Sequence, residues 1–270
     1  MTFQELKKLA KHTPAELPVI KIALIGDTAT QFLATAIRGT GVERGYQIDL
    51  FEAEYNQVER QFLDPSSELY QSDADYIVLF QSTHKLGERH SLLSPDQQES
   101  LAEERLAFVA SICENPVLAD KKIICLDYPE IEDTVFGSYA TKVSASLTYQ
   151  VRKLNMGLMD LSQQYANLFI CDIAGLQNKL GRDLMFAPNV YVSTEMVLSI
   201  DALPYVAGRV MDIVCAIKGQ FKKCHPTIEF HENLFDKRFT ADDFQDSSHL
   251  NEAGAIKYSR ILADIIYPHK

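Results

Sequence analysis

The sequence lacks any uninterrupted apolar run long enough to cross a membrane. A spanning helix needs about 20 consecutive apolar residues, and a signal peptide needs an apolar core behind its charged start. The amino terminus instead is polar, with lysines at positions 7, 8 and 11. We therefore expect a cytoplasmic protein without a signal peptide, and no membrane as a partner.

Positive charge is also scarce. The 270 residues include 26 lysines and arginines against 37 aspartates and glutamates, for a net charge of −11. Nucleic acid and anionic membranes would be repelled by such a chain rather than bound through released counterions. We expect neither as a partner. The hydrophobic fraction of 46% is ordinary and is enough for a core in a chain of this length.

Cysteine is present, but not in a pattern typical of a disulfide framework or a zinc site. The five cysteines are odd in number and no pair has CxxC spacing. Cys125 and Cys171 lie in apolar runs of the strand type, and Cys215 lies on an apolar helical stretch. We predict five buried free thiols, no metal site and no cofactor. The glycine-rich motifs GxGxxG and GxxxxGK[ST] are absent as well, which disfavours a nucleotide site at the first strand.

What the sequence does contain is a regular alternation of strand and helix patterns. Short apolar runs predict strands at residues 19–25, 48–51, 76–80, 122–126 and 168–171. Helical patterns follow at about residues 95–113, 140–165 and 203–217. Alternating strands and helices indicate βαβ units, so we predict an α/β fold of three αβα layers with a five-stranded parallel sheet, as in flavodoxin-like proteins.

We predict a single domain over residues 1–270. A capping box at Thr2 and Glu5 starts an N-terminal helix within residues 1–18. The pattern loosens at residues 175–235, which we interpret as a possible insertion. Residues 236–270 then supply a closing segment and a last helix.

The first candidate site follows the first strand, at Gly26-Asp27-Thr28. Ligands of open parallel sheets bind outside the carboxyl ends of the strands. A hydroxyl there, close to the start of the next helix, would lie where developing negative charge is favoured. Thr28 is thus a candidate nucleophile. The alternative is that Thr28 only caps the helix.

The second candidate site is Asp246-Ser247-Ser248-His249-Leu250-Asn251, before the last helix. An aspartate three residues before a histidine can accept the Nδ1 proton and leave Nε2 free as a base. The alternative is a helix cap with an exposed histidine.

Together these two segments resemble the SGNH (GDSL-like) hydrolase superfamily, whose first block is Gly-Asp-Ser and whose last is Asp-x-x-His. The resemblance implies a catalytic triad of Thr28, Asp246 and His249. Threonine here replaces the serine of the family pattern.

A longer resemblance covers residues 20–224, through segments such as IALIGDTATQFLATAIRGTG and YIVLFQSTHKL. These are similar to the amino-terminal SGNH-like domain of FkbH-like proteins. Those proteins continue into a HAD-type domain and load glyceryl units onto acyl carrier proteins. No DxDxT motif of such a domain follows in this sequence.

The superfamily resemblance also implies an oxyanion hole, although its glycine and Gly-x-Asn-Asp blocks are not matched. The third strand ends instead in Gln81-Ser82-Thr83, and Ala53 lies near the missing glycine. We take Gln81, Ser82, Thr83 and the Ala53 backbone N–H, with Asp27, as the candidate oxyanion and substrate-binding groups.

Two functions remain open at this point. The first is an SGNH-type esterase or O-acyltransferase that acts on a small-molecule or saccharide ester, or on an acyl-carrier thioester. The second is a non-catalytic SGNH-like module that docks an acyl carrier protein or another biosynthetic partner. The oligomeric state does not follow from the sequence.

Overall fold

A five-stranded, all-parallel sheet in the order β2-β1-β3-β4-β5 is the centre of the protein, in a computed structural model that describes residues 1–219. The strands are β1 (Val19–Gly26), β2 (Gln47–Glu52), β3 (Tyr76–Phe80), β4 (Lys122–Leu126) and β5 (Leu168–Cys171). All five predicted strands are confirmed, three of them with the predicted bounds, and so is the predicted α/β fold class.

The helices of the described residues alternate with these strands. They are α1 (Phe3–Lys11), α2 (Gln31–Glu43), α3 (Val58–Leu63), α4 (Glu68–Gln71), α5 (Thr83–Leu92), α6 (Pro95–Glu99), α7 (Leu101–Cys113), α8 (Leu147–Gln164), α9 (Ile173–Leu180), α10 (Arg182–Met185), α11 (Pro188–Thr194) and α12 (Leu203–Ile217). A 3-10 turn, Gly137–Lys142, precedes α8.

Two hydrophobic cores cover the two faces of the sheet, one against α1, α2, α9 and α12 and the other against α3, α5, α7 and α8. The central strand β3 is buried at every position, whereas the edge strand β2 alternates between buried and accessible residues. This difference follows from position, because a central strand of a parallel sheet is covered on both faces.

The strand order creates a switch point between β1 and β3. The chain leaves β1 for the edge strand β2 and then returns to the other side of β1, where β3 pairs with it from Ile22 to Gly26. Loops that leave the carboxyl ends of β1 and β3 therefore diverge, and the crevice between them is the usual ligand site in open α/β sheets.

Two predicted helices are broken in the structure. The helix predicted at residues 95–113 is interrupted at Ser100, which ends α6 and starts α7. The one predicted at residues 140–165 begins with the 3-10 turn, and Ser146 caps α8 by accepting a hydrogen bond from the Tyr149 N–H at 3.1 Å. Serine competes for backbone hydrogen bonds, which favours helix starts over helix interiors.

The cysteine prediction is confirmed for Cys113, Cys125 and Cys171, which are buried and free. It is wrong for Cys215, which is disulfide-bonded. The odd number and wide spacing of the cysteines favoured free thiols, because the sequence does not show which residues the fold brings together.

The chain divides into two units, Met1–Cys224 and His225–Lys270. The described residues belong to the first. Helix α12, within the segment interpreted as a possible insertion, packs against α2 and contributes Val206, Val210 and Val214 to the core. Residues 236–270 lie outside the described residues, so the prediction of one domain over the whole chain stays a prediction.

Candidate active site at the carboxyl edge of the sheet

Asp27 connects the two loops at the switch point. Both of its carboxylate oxygens accept from the Ser82 N–H, at 2.9 and 3.0 Å, and its own N–H donates to the Phe80 carbonyl at 3.2 Å. Burial raises the pKa of this carboxyl to about 7, although the hydrogen bonds from Ser82 act in the opposite direction. Asp27 therefore fixes the geometry of the crevice and can exchange a proton near neutral pH.

Thr28, the predicted nucleophile, is fully buried, with 0% of its surface exposed. Within the described part of the chain its Oγ1 is also buried and has no hydrogen-bond partner. The alternative role as a helix cap is wrong, because α2 starts at Gln31 and its N-cap is Thr30. The Thr30 hydroxyl instead donates to Glu52 Oε1 at 2.6 Å, which links the ends of β1 and β2.

The backbone next to Thr28 is hydrogen-bonded to a segment that is distant in the sequence. The Ala29 N–H donates to the carbonyl of Glu195 at 3.0 Å. Glu195 follows α11 and has a left-handed backbone conformation with φ of 59°. A segment far away in the sequence thus covers the turn that carries Thr28.

Three of the candidate oxyanion donors already have partners. The Ala53 N–H donates to the Leu24 carbonyl at 3.1 Å, the Ser82 N–H donates to Asp27, and the Thr83 hydroxyl donates to the Pro129 carbonyl at 2.6 Å. The Ser82 hydroxyl accepts from the Lys85 N–H at 3.2 Å and so caps α5.

For Gln81 it is the acceptor oxygen that is engaged, because Oε1 accepts from the Tyr128 hydroxyl at 3.3 Å, whereas its donor group is the amide Nε2. The structure thus brings Asp27, Gln81 and Ser82 together at one cavity. Asp246 and His249 lie outside the described residues, so the triad stays a prediction.

The cavity at this edge has a volume of about 290 Å³ and contains residues that the sequence did not point to. Together with the predicted groups, the cavity is lined by Arg105 from α7, Lys85 and Arg89 from α5, Glu59 from α3 and Tyr128 after β4.

Two features of the sequence could have pointed to these residues. Tyr128 follows a strand end, and Arg105 is a charged residue on the apolar stripe of α7, beside Leu101, Ala102 and Val109.

A second cavity of about 570 Å³ lies on the other side of α5, with His84, Ile131, Phe136 and Leu147 in its walls. The His84 ring packs at 5.0 Å from the rings of both Phe186 and Tyr191. Burial lowers the pKa of His84, so the imidazole is neutral at physiological pH. This histidine also follows a strand end, and it lines the second cavity rather than the one that contains Asp27.

Neither a metal centre nor a membrane-spanning helix is found in the portion of the chain that the structure describes. No three histidine, cysteine or acidic residues among residues 1–219 are grouped as metal ligands would be. No helix within those residues is both long and apolar enough to cross a bilayer.

Comparison with known proteins places the chain in a family. The model of the FkbH N-terminal domain matches residues 21–215. The N-terminal part of the protein BF1531 from Bacteroides fragilis, described as containing a phosphatase domain complexed with Mg, is 55% identical, with a TM-score of 0.78. The match covers 81% of this chain and 57% of that one, so this chain spans little more than half of that relative.

More distant structures show weaker likeness. The match to an acetyl xylan esterase, AlAXEase, includes 72% of this chain and 100% of the esterase, at 12% identity and a TM-score of 0.44. A GDSL-like lipase from Parabacteroides merdae covers 73% of this chain, with 96% of its own length matched, at 12% identity and a TM-score of 0.46. Neither is close enough to inform the chemistry. No curated protein matches. The family match covers most of the chain, so this chain belongs to the FkbH N-terminal domain family, and its strand order is that of an open parallel α/β sheet.

Proposed function

We propose that this protein is a non-catalytic SGNH-like module that docks an acyl carrier protein, rather than an ester hydrolase or acyltransferase. The observation that carries the proposal is the closure of the Thr28 hydroxyl. It is fully buried and lacks a hydrogen-bond partner within the described residues.

A nucleophilic hydroxyl needs two things that Thr28 lacks in this part of the chain. A general base must be within about 2.6–3.2 Å of the oxygen, and the ester carbonyl must approach to about 3 Å. The methyl group of threonine crowds that approach further, because it restricts χ1. The Thr28 oxygen is buried and the next backbone N–H is bonded to Glu195, so a substrate carbonyl could reach this oxygen only if the turn moved.

Three of the candidate oxyanion donors support the same conclusion, whereas the Gln81 amide and the Ser82 hydroxyl, seen only as acceptors, do not bear on it. Electrostatic stabilisation requires N–H groups that point at the developing oxyanion and are not otherwise bonded. The N–H groups of Ala53 and Ser82 and the Thr83 hydroxyl are all used within the protein. Freeing any of them would break a hydrogen bond that holds the carboxyl edge together.

The choice of an acyl carrier protein as partner rests on family membership. FkbH-like proteins work beside acyl carrier proteins, and the Bacteroides fragilis relative, of which this match covers 57%, is described as containing a phosphatase domain. A module without its own nucleophile fits the role of presenting a carrier to chemistry performed elsewhere.

The proposal is tested first by an esterase assay. Wild-type protein, Thr28→Ala and His249→Ala are compared for hydrolysis of p-nitrophenyl acetate and for acetylation of the intact protein by mass spectrometry. We expect all three to be equal to the uncatalysed rate and unacetylated. Hydrolysis by the wild type that both substitutions abolish, with an acetyl group on Thr28, would overturn the proposal and establish the Thr28–His249–Asp246 triad.

Docking is tested by calorimetric titration with each acyl carrier protein encoded in the source genome, in the apo form and in the phosphopantetheine-bearing form. We expect saturable binding of at least one. If none binds in either form, the docking function is wrong whatever the result of the esterase assay.

A further inference from the structure

Arg105 is an unusual residue for its place in the fold. It comes from the buried face of α7, and only 5% of its surface is exposed. Arginine is almost never fully buried unless its charge is paired. One pairing exists, since Nη1 lies 3.2 Å from Glu59 Oε1, and the guanidinium stacks at 4.7 Å over the Phe108 ring.

The guanidinium also interacts with the Tyr128 side chain, which lines the same cavity, but not every donor of Arg105 has a partner. Its Nη2 is buried and has no hydrogen-bond partner within the described residues. Leaving a buried charged donor unsatisfied costs more than an ordinary hydrogen bond contributes, so such a group calls for a ligand or another explanation. Arg105 also lines the 290 Å³ cavity at the switch point.

Two more cations lie in the wall of the same cavity. Lys85 and Arg89 lie on consecutive turns of α5, and both contribute to the lining. Lys85 Nζ is held by Glu195 at 2.8 Å and Glu88 at 3.3 Å, and Arg89 is paired with Glu104. These carboxylates stand outside the cavity lining, so they orient the two cations without filling the cavity.

Polar groups complete the wall. The cavity has three cations against two carboxyl groups, Asp27 and Glu59, on a chain whose net charge is −11. The Asp27 carboxyl is partly protonated near neutral pH, because burial raises its pKa to about 7. The Tyr128 hydroxyl and the Gln81 amide supply neutral hydrogen-bonding groups.

We propose that this cavity is a phosphate-binding site, in which the guanidinium of Arg105 donates to a phosphate oxygen while Lys85 and Arg89 compensate the charge of the phosphate. Because Nη1 is already held by Glu59, the guanidinium would be oriented by that carboxylate and would add a charge-assisted hydrogen bond to a phosphate oxygen. The site differs from a glycine-rich phosphate loop, since its donors are side chains of α5 and α7 rather than backbone N–H groups.

The experiment is calorimetric titration of the full-length protein with inorganic phosphate at constant ionic strength. We expect one saturable site in the wild type. Arg105→Lys keeps the charge but removes the fork, and we expect it to weaken binding about tenfold or more. Arg89→Gln removes a cation from the rim and should weaken binding by a smaller factor.

The matched control is Arg60→Gln. Arg60 is likewise a surface cation paired with carboxylates, Asp64 and Glu68, but it does not line the cavity. We expect its phosphate affinity to equal that of the wild type. If Arg105→Lys fails to fold, Arg89→Gln against Arg60→Gln still decides the question, because both positions are exposed.

Absence of saturable phosphate binding by the wild type would overturn the proposal, and so would equal affinity of Arg89→Gln and Arg60→Gln. Two sources of the phosphate are separated by comparing carriers. Tighter binding of the phosphopantetheine-bearing carrier than of the apo carrier, lost in Arg105→Lys, assigns the phosphate to the carrier arm. If both carrier forms bind equally and inorganic phosphate is still bound, the natural ligand is a small phosphorylated molecule. The comparison of carriers rests on the proposed function, whereas the phosphate site itself does not.

Discussion

At the scale of single residues, Asp27 has the most consequence for both stability and site chemistry. Its carboxyl is held by the Ser82 N–H at the switch point, and burial raises its pKa from 3.8 to about 7. The folded protein thus keeps a proton that the unfolded chain has lost over the pH range between these two values. Stability therefore falls as the pH rises through that range, since the ionised group is disfavoured in the folded state.

We predict that Asp27→Asn removes this dependence. The asparagine Oδ1 can still accept from the Ser82 N–H, and no charge has to be buried. The difference in unfolding free energy between the variant and the wild type should be about 1–3 kcal/mol larger, in favour of the variant, at about pH 8 than at about pH 5. Urea unfolding followed by circular dichroism at both pH values measures the difference.

Asp127 provides the matched comparison. Burial raises its pKa to about 7 as well, and its Oδ1 accepts from the N–H groups of Ile173 at 2.7 Å and Ala174 at 2.8 Å. Asp127→Asn should show a gain of the same sign, and the double variant should show their sum, because the two carboxyls follow different strands. A gain for Asp27→Asn that does not change with pH would contradict the assignment.

The residues of the carboxyl edge show what a sequence can and cannot reveal. Asp27, Gln81 and Ser82 were predicted because each follows a strand, and parallel strands end at one edge. The burial of Thr28 was not predictable, because it depends on tertiary contacts; Glu195, whose carbonyl accepts from the neighbouring Ala29 N–H, lies 167 positions from Thr28 in the numbering. Arg105 was missed because its role depends on which helix faces the cavity, although a lone charge on an apolar stripe was a signal.

At the scale of elements, a single glutamine holds three segments of the helical layer together. Gln150 on α8 is 1% exposed. Its Oε1 accepts from the Ala102 N–H at 2.9 Å, and its Nε2 donates to the carbonyls of Glu99 at 3.0 Å and Ser144 at 2.7 Å. The start of α7, the end of α6 and the turn before α8 thus share one side chain.

We predict that Gln150→Leu destabilises the protein by about 2–4 kcal/mol, because the backbone groups it satisfies are left buried without partners. The control is Gln163→Leu on the same helix, whose side chain is exposed and makes only a 3.5 Å contact with Ser162. Chemical unfolding of both variants gives the comparison. Equal stability of the two variants would show that Gln150 is not a structural link.

The packing of α1 on α2 depends on a glycine. A Cβ on Gly39 would lie 2.2 Å from the Leu6 carbonyl oxygen and 2.6 Å from its carbonyl carbon. Those are backbone atoms, so α1 as a whole would have to move. We predict that Gly39→Ala costs about 1–3 kcal/mol of unfolding free energy.

Gly208 in α12 is the counterpart, since a Cβ there meets no atom within 4 Å. Gly208→Ala should stabilise the protein by about 0.5–1 kcal/mol, because alanine favours the helix over glycine. Thermal unfolding of the two variants should therefore shift in opposite directions. A Gly39→Ala variant as stable as the wild type would mean that α1 is not held closely against α2.

Strands were more predictable than helices for a physical reason. Buried parallel strands such as β3 and β4 are continuous apolar runs between polar residues, so their bounds are visible in the sequence. Helices as short as α3, α4 and α10 contain four to six residues, too few to show a 3.6-residue period. Their positions depend on tertiary contacts instead.

At the scale of the whole molecule, the strand order explains why the fold fixes the position of a ligand site but not its chemistry. The order β2-β1-β3-β4-β5 places a crevice between β1 and β3 whatever side chains follow those strands. In this chain the crevice holds a buried carboxyl, a sealed hydroxyl and a cluster of cations. The architecture thus predicts where a ligand would lie, while the residues determine its chemistry.

The net charge of −11 is the remaining property of the molecule as a whole. Repulsion among the excess carboxylates acts throughout the chain and opposes the compact state, whereas each exposed ion pair, such as Lys153 with Glu103, contributes about 0–1 kcal/mol. Salt screens both the repulsion and the ion pairs. The repulsion is the larger contribution, because the carboxylates in excess have no cations to balance them. Raising NaCl from about 0.02 M to about 0.2 M at neutral pH should therefore raise the midpoint of thermal unfolding.

The same titration near the isoelectric point of about 5.1 supplies the control. There the net charge is close to zero, so screening has only the attractive pairs to weaken. The salt-induced increase in the unfolding midpoint should vanish or change sign. If the unfolding midpoint instead falls with salt at neutral pH, specific ion pairs contribute more to stability than the repulsion costs. The pairs that orient Lys85 and Arg89 are among them, and variants of those pairs would be measured next.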